Sequence, residues 1–350
     1  MERPAYRIID ANFNRGREAI RVIEEFCRFV LNSSSLTARA KQFRHELSAL
    51  LDEFDSNGLI AGRDTPGDVG VGQKVENQLE RGNLEDAFTA ACKRLTEALR
   101  VLAEISQAMN ASVARRLEEL RYQSYTLEKD ITVFSNTVEK FKRVRLYVII
   151  TRELPEEILH LTSCCAASGA DCIQLRAKGI EDDKLFAVAQ EFVKMCRDSD
   201  VLSIINDRVD IAAAAGADGV HLGQNDLPTA QAKKLQLTPL IIGKSTHSLE
   251  QLNSACQQQL TYAALGPVFA TDTKPDVKPV GLDYVKQAMD VLGDTGIGHV
   301  AIGGISKDNV EDVLRAGAKT IAVCSAITES SDSKAACSAL KGQIVSFCGD

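Results

Sequence analysis

The sequence predicts an α/β fold, a (β/α)₈ TIM barrel preceded by an all-α helical domain. From about Arg143 onwards, eight short β-branched segments alternate with helical segments, which is the pattern of eight strands that are each followed by a helix. Before that point, helical patterns alternate with polar loops, and strand-like sequence is scarce. We therefore expect a helical domain at residues 1–142 and a barrel at residues 143–350. A doubly wound open sheet is the alternative for the second part.

The helical domain is expected to contain two related helices. In the segment EAIRVIEEFCRFVL, apolar residues recur every three or four positions, which predicts an amphipathic helix. The segment NRGREAIRVIEEF, from Asn14, resembles KRLTEALRVLAEI, from Lys93, and both hold arginine and glutamate at matching positions. We expect the two helices to pack together in a bundle. The matching charges predict either spaced ion pairs on the surface or a shared pocket or dimer surface.

Eight segments of the second part are strand candidates. Helix-like segments such as PEEILHLTSCCAASG and DDKLFAVAQEFVKMCRD separate most of them, and RVDIAAAAGA is expected to form a short helix. In chain order, the candidates are RLYVIIT, CIQLRA, VLSIIND, GVHLG, LIIGKST, YAALGPVF, HVAIGGI and TIAVCSAI.

Composition excludes several functional classes. The net charge of −7 argues against a nucleic-acid partner, for which a basic face is expected. No apolar run approaches the roughly 20 residues of a spanning helix, and the charged N-terminus has no signal-peptide core, so we expect no membrane partner and a cytoplasmic location. The ten cysteines show no C-x-x-C spacing, which predicts buried free thiols.

Polar residues follow the predicted strands at their carboxyl ends, where the active residues of a barrel lie. Asp207 and Asp226 are a suitable carboxylate pair for Mg²⁺, because a hard cation takes carboxylate oxygens and shares oxygens with substrate phosphates. Arg176, Lys178 and Lys274 supply positive charge for a diphosphate. The alternative for each acid is a helix N-cap or a surface salt bridge.

The last two predicted strands end in glycines and a hydroxyl group instead of charged residues. The glycines of AIGGIS allow close approach of the backbone, and CSAI adds a hydroxyl, which together fit a monophosphate. The alternative is that the glycines only form a tight turn. The segment GPVFATDTK ends an apolar run in hydroxyls and a cation, as expected of a loop that faces a ligand.

The barrel region resembles the thiamine-phosphate synthase family, whose enzymes are also called thiamine-phosphate pyrophosphorylases. The resemblance lies in QLRAK, INDR, VHLGQNDLP, GKSTH, GPVFATDTK, AIGGIS and VCSAI. It implies a (β/α)₈ barrel that joins 4-amino-2-methyl-5-hydroxymethylpyrimidine diphosphate to a thiazole phosphate or its carboxylate form. Diphosphate would leave first in a dissociative, Mg²⁺-assisted reaction. The substrates would therefore be small molecules.

The resemblance also implies a role for each matching residue. Arg176, Lys178 and Lys274 would be the catalytic cations, and Asp207 and Asp226 would bind Mg²⁺. The pyrimidine diphosphate would be held by Gln174, Arg176, Lys178, Asn206, Ser245 and Lys274. The thiazole phosphate would be held by Thr271, Thr273, Gly304, Cys324 and Ser325.

The sequence departs from the family pattern at two positions. Ala177 stands where an acidic residue is usual, and Lys244 where an apolar residue is common. Lys244 either adds a cation near the diphosphate or points outward.

Two other functions are compatible with parts of the pattern. A thiazole tautomerase would need the phosphate pocket and a base such as His221 or His247, but neither aspartate. A non-catalytic sensor would bind thiamine precursors and signal through the helical domain. That domain resembles the helical extension of some bacterial synthases, and its role in oligomerisation, regulation or channelling is left open, as is a homo-oligomer.

Overall fold

The computed structural model describes residues 2–31, 33–70, 81–235, 239–271, 277–293 and 295–348. Eight parallel strands close into a barrel in chain order. The last strand pairs with the first, with Leu146 opposite Ile321. This closure confirms the barrel. It excludes the open sheet, because the strands of an open sheet do not form a closed ring.

All eight predicted strands are present, with shorter bounds than the apolar segments suggested. The sixth strand ends at Leu265 because Pro267, two residues on, has no N–H to continue the ladder. The strands are β1 Leu146–Ile150, β2 Cys172–Leu175, β3 Leu202–Asn206, β4 Gly219–Leu222, β5 Ile241–Thr246, β6 Tyr262–Leu265, β7 Gly298–Ile302 and β8 Ile321–Val323.

Helices precede the barrel and alternate with its strands. The first group is α1 Glu2–Glu25, α2 Ser34–Leu51, α3 Ser56–Gly62, α4 Leu84–Ser106 and α5 Ala111–Lys142, with a π-helical turn at Phe26–Val30. The second group is α6 Pro155–Ala166, α7 Asp182–Asp198, α8 Val209–Ala215, α9 Thr229–Ala232, α10 Leu249–Cys256, α11 Gly281–Leu292, α12 Val310–Arg315, α13 Ser325–Thr328 and α14 Ser333–Cys348.

The chain divides into two compact units, Met1–Thr132 and Val133–Asp350. The division therefore falls within α5, and the change of sequence pattern that we placed at residue 142 coincides with the end of that helix. Within the described residues, no helix combines the length and apolar character that crossing a membrane requires. The ten cysteines are free thiols, and eight of them are buried, as predicted.

In the helical unit, the two related segments form α1 and α4, which pack against each other as expected. Gly16 lies at a close helix contact, because a Cβ added there would lie 3.3 Å from Leu47 Cδ2 and 3.8 Å from Ala98 Cβ. The matching charges form surface ion pairs: Arg21 binds Glu25 at 2.7 Å, and Arg100 binds Glu104 at 2.6 Å. Both arginine side chains are more than half exposed.

In the barrel unit, side chains from alternating strand positions fill the interior. Tyr147 on β1 and Tyr262 on β6 are its largest fully buried side chains. Phe141, near the end of α5, stacks on Tyr262 with ring centroids 4.3 Å apart. Gly243 on β5 provides the space for this ring, because a Cβ there would lie 2.0 Å from Tyr262 Cζ. The interior therefore combines tight packing with buried hydroxyl groups.

Candidate active site

A cavity lies at the carboxyl ends of the barrel strands, where the sequence predicted the functional residues. We call this end of the barrel the rim. The residues expected there that line it are Gln174, Arg176, Asn206, Ser245, Thr271, Gly304, Cys324 and Ser325. Beside it, Asp207 directly follows Asn206, and Lys178 and Asp226 lie in the loops after β2 and β4. The predicted residues Thr273 and Lys274 lie outside the described residues. The fold thus gathers residues from distant segments of the chain at one end of the barrel.

Asp207 and Asp226 form a pair of carboxylates on neighbouring strand ends. Asp207 has a left-handed backbone, with φ of 62°, and its N–H donates to the His221 carbonyl at 2.8 Å. Such a conformation is uncommon for residues other than glycine and is often found at functional sites. The Asp226 carboxylate accepts a hydrogen bond from the Gly223 N–H at 2.6 Å. Backbone contacts therefore hold both acids in position.

The two carboxyl groups interact directly with each other. Burial, followed by a hydrogen bond with Asp207, raises the pKa of Asp226, while the Gly223 N–H and the Lys178 charge oppose the rise. Lys178 Nζ lies 3.0 Å from Asp207 Oδ2. Two acids that meet in this way repel each other when both are ionised, so the arrangement favours a proton or a cation between them.

Lys244 is buried beside this acidic pair and does not point outward. It is 7% exposed, and its Nζ donates to the Gly223 carbonyl at 3.2 Å. Burial lowers the pKa of Lys244, and the negative charge of Asp226 opposes that shift. The departure from the family pattern thus places an additional cation close to Asp226.

The two positions after β7 require glycine, because an added side chain would clash with neighbouring residues. Gly303 and Gly304 have positive φ values of 106° and 62°. A Cβ at Gly303 would lie 2.3 Å from Pro267 Cβ, and one at Gly304 would lie 2.4 Å from the Ala270 carbonyl oxygen. A residue with a side chain could adopt neither position without strain. The two glycines therefore form a tight turn against the loop after β6, and they also line the cavity.

The end of β8 contributes a thiol and a hydroxyl to the cavity. Cys324 Sγ lies 3.3 Å from Thr151 Oγ1, so its thiol already has a partner within the protein. Ser325 begins the short helix α13. Thr151, which follows β1, was not predicted as a site residue, because its contact with Cys324 joins residues that are far apart in sequence.

His221 and His247 both line the cavity but have different environments. The His221 ring nitrogens lie 3.0 Å from Tyr262 Oη and 2.9 Å from Ser245 Oγ. His247 Nδ1 contacts the Gly266 carbonyl oxygen. Both nitrogens of His221 are thus engaged within the barrel, which favours a structural role over that of a base.

Two tyrosines below the cavity, in the segments RLYVIIT and TYAALG, were not predicted to belong to the site. Tyr147 Oη and Tyr262 Oη lie 2.9 Å apart. Gln174 Nε2 donates to Tyr147 Oη at 2.7 Å. The sequence showed aromatic residues within apolar strands, but not that their hydroxyl groups meet inside the barrel.

Comparison with known proteins gives concordant results over most of the chain. Residues 146–327 match the model of a family described as thiamine monophosphate synthase, and residues 7–130 match the model of the ThiD2 family. A thiamine-phosphate synthase of Rhodopirellula baltica is 37% identical over 332 residues, which cover 93% of this chain and 88% of that protein. A thiamine-phosphate synthase of Synechocystis is 36% identical over 338 residues, which cover 97% and 96%.

The chain belongs to the thiamine-phosphate synthase family. Its activity is that of a thiamine-phosphate synthase, a transferase of thiamine biosynthesis, as the resemblance of the barrel motifs implied. The solved thiamine phosphate pyrophosphorylase of Pyrococcus furiosus matches with a TM-score of 0.53 and 33% identity, covering 59% of this chain and 98% of that one. The synthase assignment is favoured over the tautomerase and the sensor.

The helical region is shared with synthase relatives. Because the match to the Synechocystis synthase covers nearly the whole of both chains, that protein has a counterpart of the helical region as well as of the barrel. The ThiD2 match lies within the helical unit. The predicted fusion of a helical domain to a synthase barrel is thus confirmed.

Proposed function

We propose that this chain joins 4-amino-2-methyl-5-(diphosphooxymethyl)pyrimidine to 4-methyl-5-(2-phosphoethyl)thiazole, or to its carboxylate form, using the residues at the rim of its own barrel. The products would be thiamine phosphate and diphosphate. The observation that carries the proposal is the contact between Asp207 and Asp226, with Lys178 at 3.0 Å from the first. A carboxylate pair next to cations is suited to a substrate that carries a diphosphate and a divalent metal ion.

The residues present fit Mg²⁺ as the metal ion. Mg²⁺ is usually held by one or two carboxylates and keeps several waters or phosphate oxygens. Asp207 and Asp226 would hold it, and within the described residues no group of three or more His, Cys, Asp or Glu offers a closed site for another metal. When bound, the ion would neutralise negative charge on the diphosphate.

The cations of the rim would act on the leaving group. Arg176 lines the cavity, and Lys178 is held near Asp207 by their ion pair. Together with Lys274, they would bind the diphosphate more tightly as its negative charge grows, which lowers the barrier rather than merely improving binding. Bond breaking before attack by the thiazole nitrogen would require no protein base.

The uncharged residues of the rim would position the two substrates. Gln174, Asn206 and Ser245 lie at the ends of β2, β3 and β5 and would hold the pyrimidine. The thiazole phosphate would lie on the opposite part of the rim, at the loop after β6 and the ends of β7 and β8. Its proposed residues are Thr271, Thr273, Gly304, Cys324 and Ser325. We further propose a cytoplasmic location, as expected for this biosynthetic step.

A thiochrome assay tests this proposal. Purified protein is mixed with the pyrimidine diphosphate, the thiazole phosphate and Mg²⁺, and oxidation converts thiamine phosphate to a fluorescent product. We expect signal from the wild type and a loss of signal from Asp207→Asn. Asp210→Asn is the matched control, because Asp210 lies nearby but forms an ordinary ion pair with Arg208 at 2.7 Å. Equal activity in all three proteins would refute the metal assignment.

A further inference from the structure

A chain of buried hydrogen bonds crosses the barrel beneath the cavity. We call its members, Gln174, Tyr147, Tyr262, His221 and Ser245, the interior chain. Successive members are joined at 2.7, 2.9, 3.0 and 2.9 Å. They belong to β2, β1, β6, β4 and β5, so the chain links strands on different sides of the barrel. Its two ends line the cavity, whereas both tyrosines are at most 1% exposed.

Polar groups in this position need an explanation. The interior of such a barrel is normally filled by branched apolar side chains, and a buried hydroxyl without a partner costs about 1–3 kcal/mol. Phenylalanine could fill the volume of either tyrosine without that risk. A fully connected polar network instead restricts each member to one orientation. The interior chain therefore gives geometric control over the residues at its ends.

We propose that Tyr147, Tyr262 and His221 are positioning residues that fix the orientation of Gln174 and Ser245 towards the pyrimidine ring. This inference rests on the proposed function, in which Gln174 and Ser245 hold that ring. The three positioning residues act through these two ends, and their role differs from that of the rim cations, which act on the diphosphate.

A single direction of these hydrogen bonds would fix which end of the interior chain donates and which accepts. With the Gln174 amide as donor, both tyrosine hydroxyl hydrogens are used when they run from Tyr147 to Tyr262 and from Tyr262 to His221 Nδ1. The His221 Nε2–H then donates to Ser245 Oγ. Gln174 is left with an acceptor oxygen and Ser245 with a donor hydrogen. A 4-aminopyrimidine is complementary, because its amino group donates and its ring nitrogens accept.

The surroundings keep the two tyrosines protonated and hold the Tyr262 ring in place. Burial raises the pKa of Tyr147 and of Tyr262 well above the usual value, so both hydroxyl groups remain protonated donors. Phe141 stacks on the Tyr262 ring with an interplanar angle of 3°, and the His221 ring is stacked on it with centroids 5.7 Å apart. Tyr262 is thus held by ring stacking and by the hydrogen bonds of its hydroxyl group.

Tyr262→Phe tests the proposal, because it removes one hydroxyl group and keeps the ring. We expect the KM for the pyrimidine diphosphate to rise by about tenfold, the equivalent of one net hydrogen bond, with the KM for the thiazole phosphate unchanged. In a Ser245→Ala background, the same substitution should have a smaller effect, because it acts through Ser245. Tyr284→Phe is the matched control: Tyr284 is also buried, and its hydroxyl donates to Thr246 Oγ1 at 2.8 Å, outside the interior chain.

The outcomes separate this proposal from the proposed function. If Ser245→Ala leaves the KM for the pyrimidine diphosphate unchanged, the site assignment fails and the positioning role fails with it. If Ser245→Ala raises that KM but Tyr262→Phe affects both substrates equally, or no more than Tyr284→Phe does, only the positioning role is overturned. Additive effects in the double variant would overturn it too.

Two further measurements keep the test decisive if Tyr262→Phe does not fold. Tyr147→Phe breaks the neighbouring link and should show the same selective rise in KM. In the wild type, ¹⁵N NMR of His221 should show a protonated Nε2 and a bare Nδ1. The opposite tautomer would contradict the proposed direction of the hydrogen bonds.

Discussion

The two units of the chain use their charges in opposite ways. On the helical unit, arginine and glutamate one helical turn apart pair on exposed surfaces, as in Arg21–Glu25 and Arg100–Glu104. On the barrel rim, two acids, Asp207 and Asp226, meet each other instead. The first arrangement follows from helix geometry alone and contributes little to stability. The second has an energetic cost that a bound cation would remove, and it therefore points to function.

The largest expected effect is the loss of a rim carboxylate. Asp226→Asn should lower the rate of thiamine phosphate formation by more than about 100-fold, because stabilisation of the leaving group by a metal ion is worth several kcal/mol. Glu104→Gln, in the helical unit, should leave the rate unchanged. Steady-state rates measured at saturating substrates would check both. A similar loss in the two variants would remove the contrast between the units.

The loss of a cation from the rim should have the second largest effect. Lys178→Ala is expected to lower kcat by about 10- to 100-fold, the range of a charge-assisted hydrogen bond, and to raise KM by less. Lys184→Ala is its control, because Lys184 forms an exposed ion pair with Glu181 at the start of α7. Kinetics with varied pyrimidine diphosphate would test this. A rise in KM that equals the fall in kcat would show that Lys178 binds the ground state as well as the transition state.

The third prediction compares a glycine packed beneath the rim with a glycine in a helix of the same unit. Gly243→Ala should destabilise the barrel by about 1–3 kcal/mol, because the new Cβ would meet the Tyr262 ring. Gly342→Ala should stabilise it by roughly 0.5–1 kcal/mol, since Gly342 lies within α14 and a Cβ there would have no atom within 4 Å. Thermal unfolding would distinguish them. A melting temperature unchanged by Gly243→Ala would mean that Tyr262 is free to move.

The smallest effect is expected for the surface ion pairs. Arg100→Gln should change the free energy of unfolding by no more than about 0.5 kcal/mol, because its partner Glu104 is as exposed as it is. Denaturant unfolding, with the activity assay alongside, would measure it. A loss of activity would revive the alternative that the matching charges line a functional surface.

Much of the fold could be predicted from local sequence patterns. The β-branched segments predicted every strand, and the repeat of the α1 segment predicted α4. Strand ends were less accurate, as at β6, where the apolar segment continues to Phe269 but the strand ends at Leu265. Apolar character shows which residues are buried, whereas the ladder stops where a backbone N–H is lost.

The candidate site was predictable where its residues follow neighbouring strands. Asp207 and Asp226 could be paired from the sequence because β3 and β4 are adjacent in a barrel. The interior chain could not, since Tyr147 and Tyr262 are far apart in sequence and meet only through closure of the barrel. The role of Gly243 depends in the same way on a ring from another strand.

Binding of Mn²⁺ in place of Mg²⁺ tests the central claim that the two rim acids form a cation site. Electron paramagnetic resonance would count the bound ions in the whole protein, with and without inorganic diphosphate. We expect the wild type and Asp210→Asn to bind one ion per chain in the presence of diphosphate, and the Asp207→Asn/Asp226→Asn double variant to bind none. Equal binding by all three proteins would contradict the account.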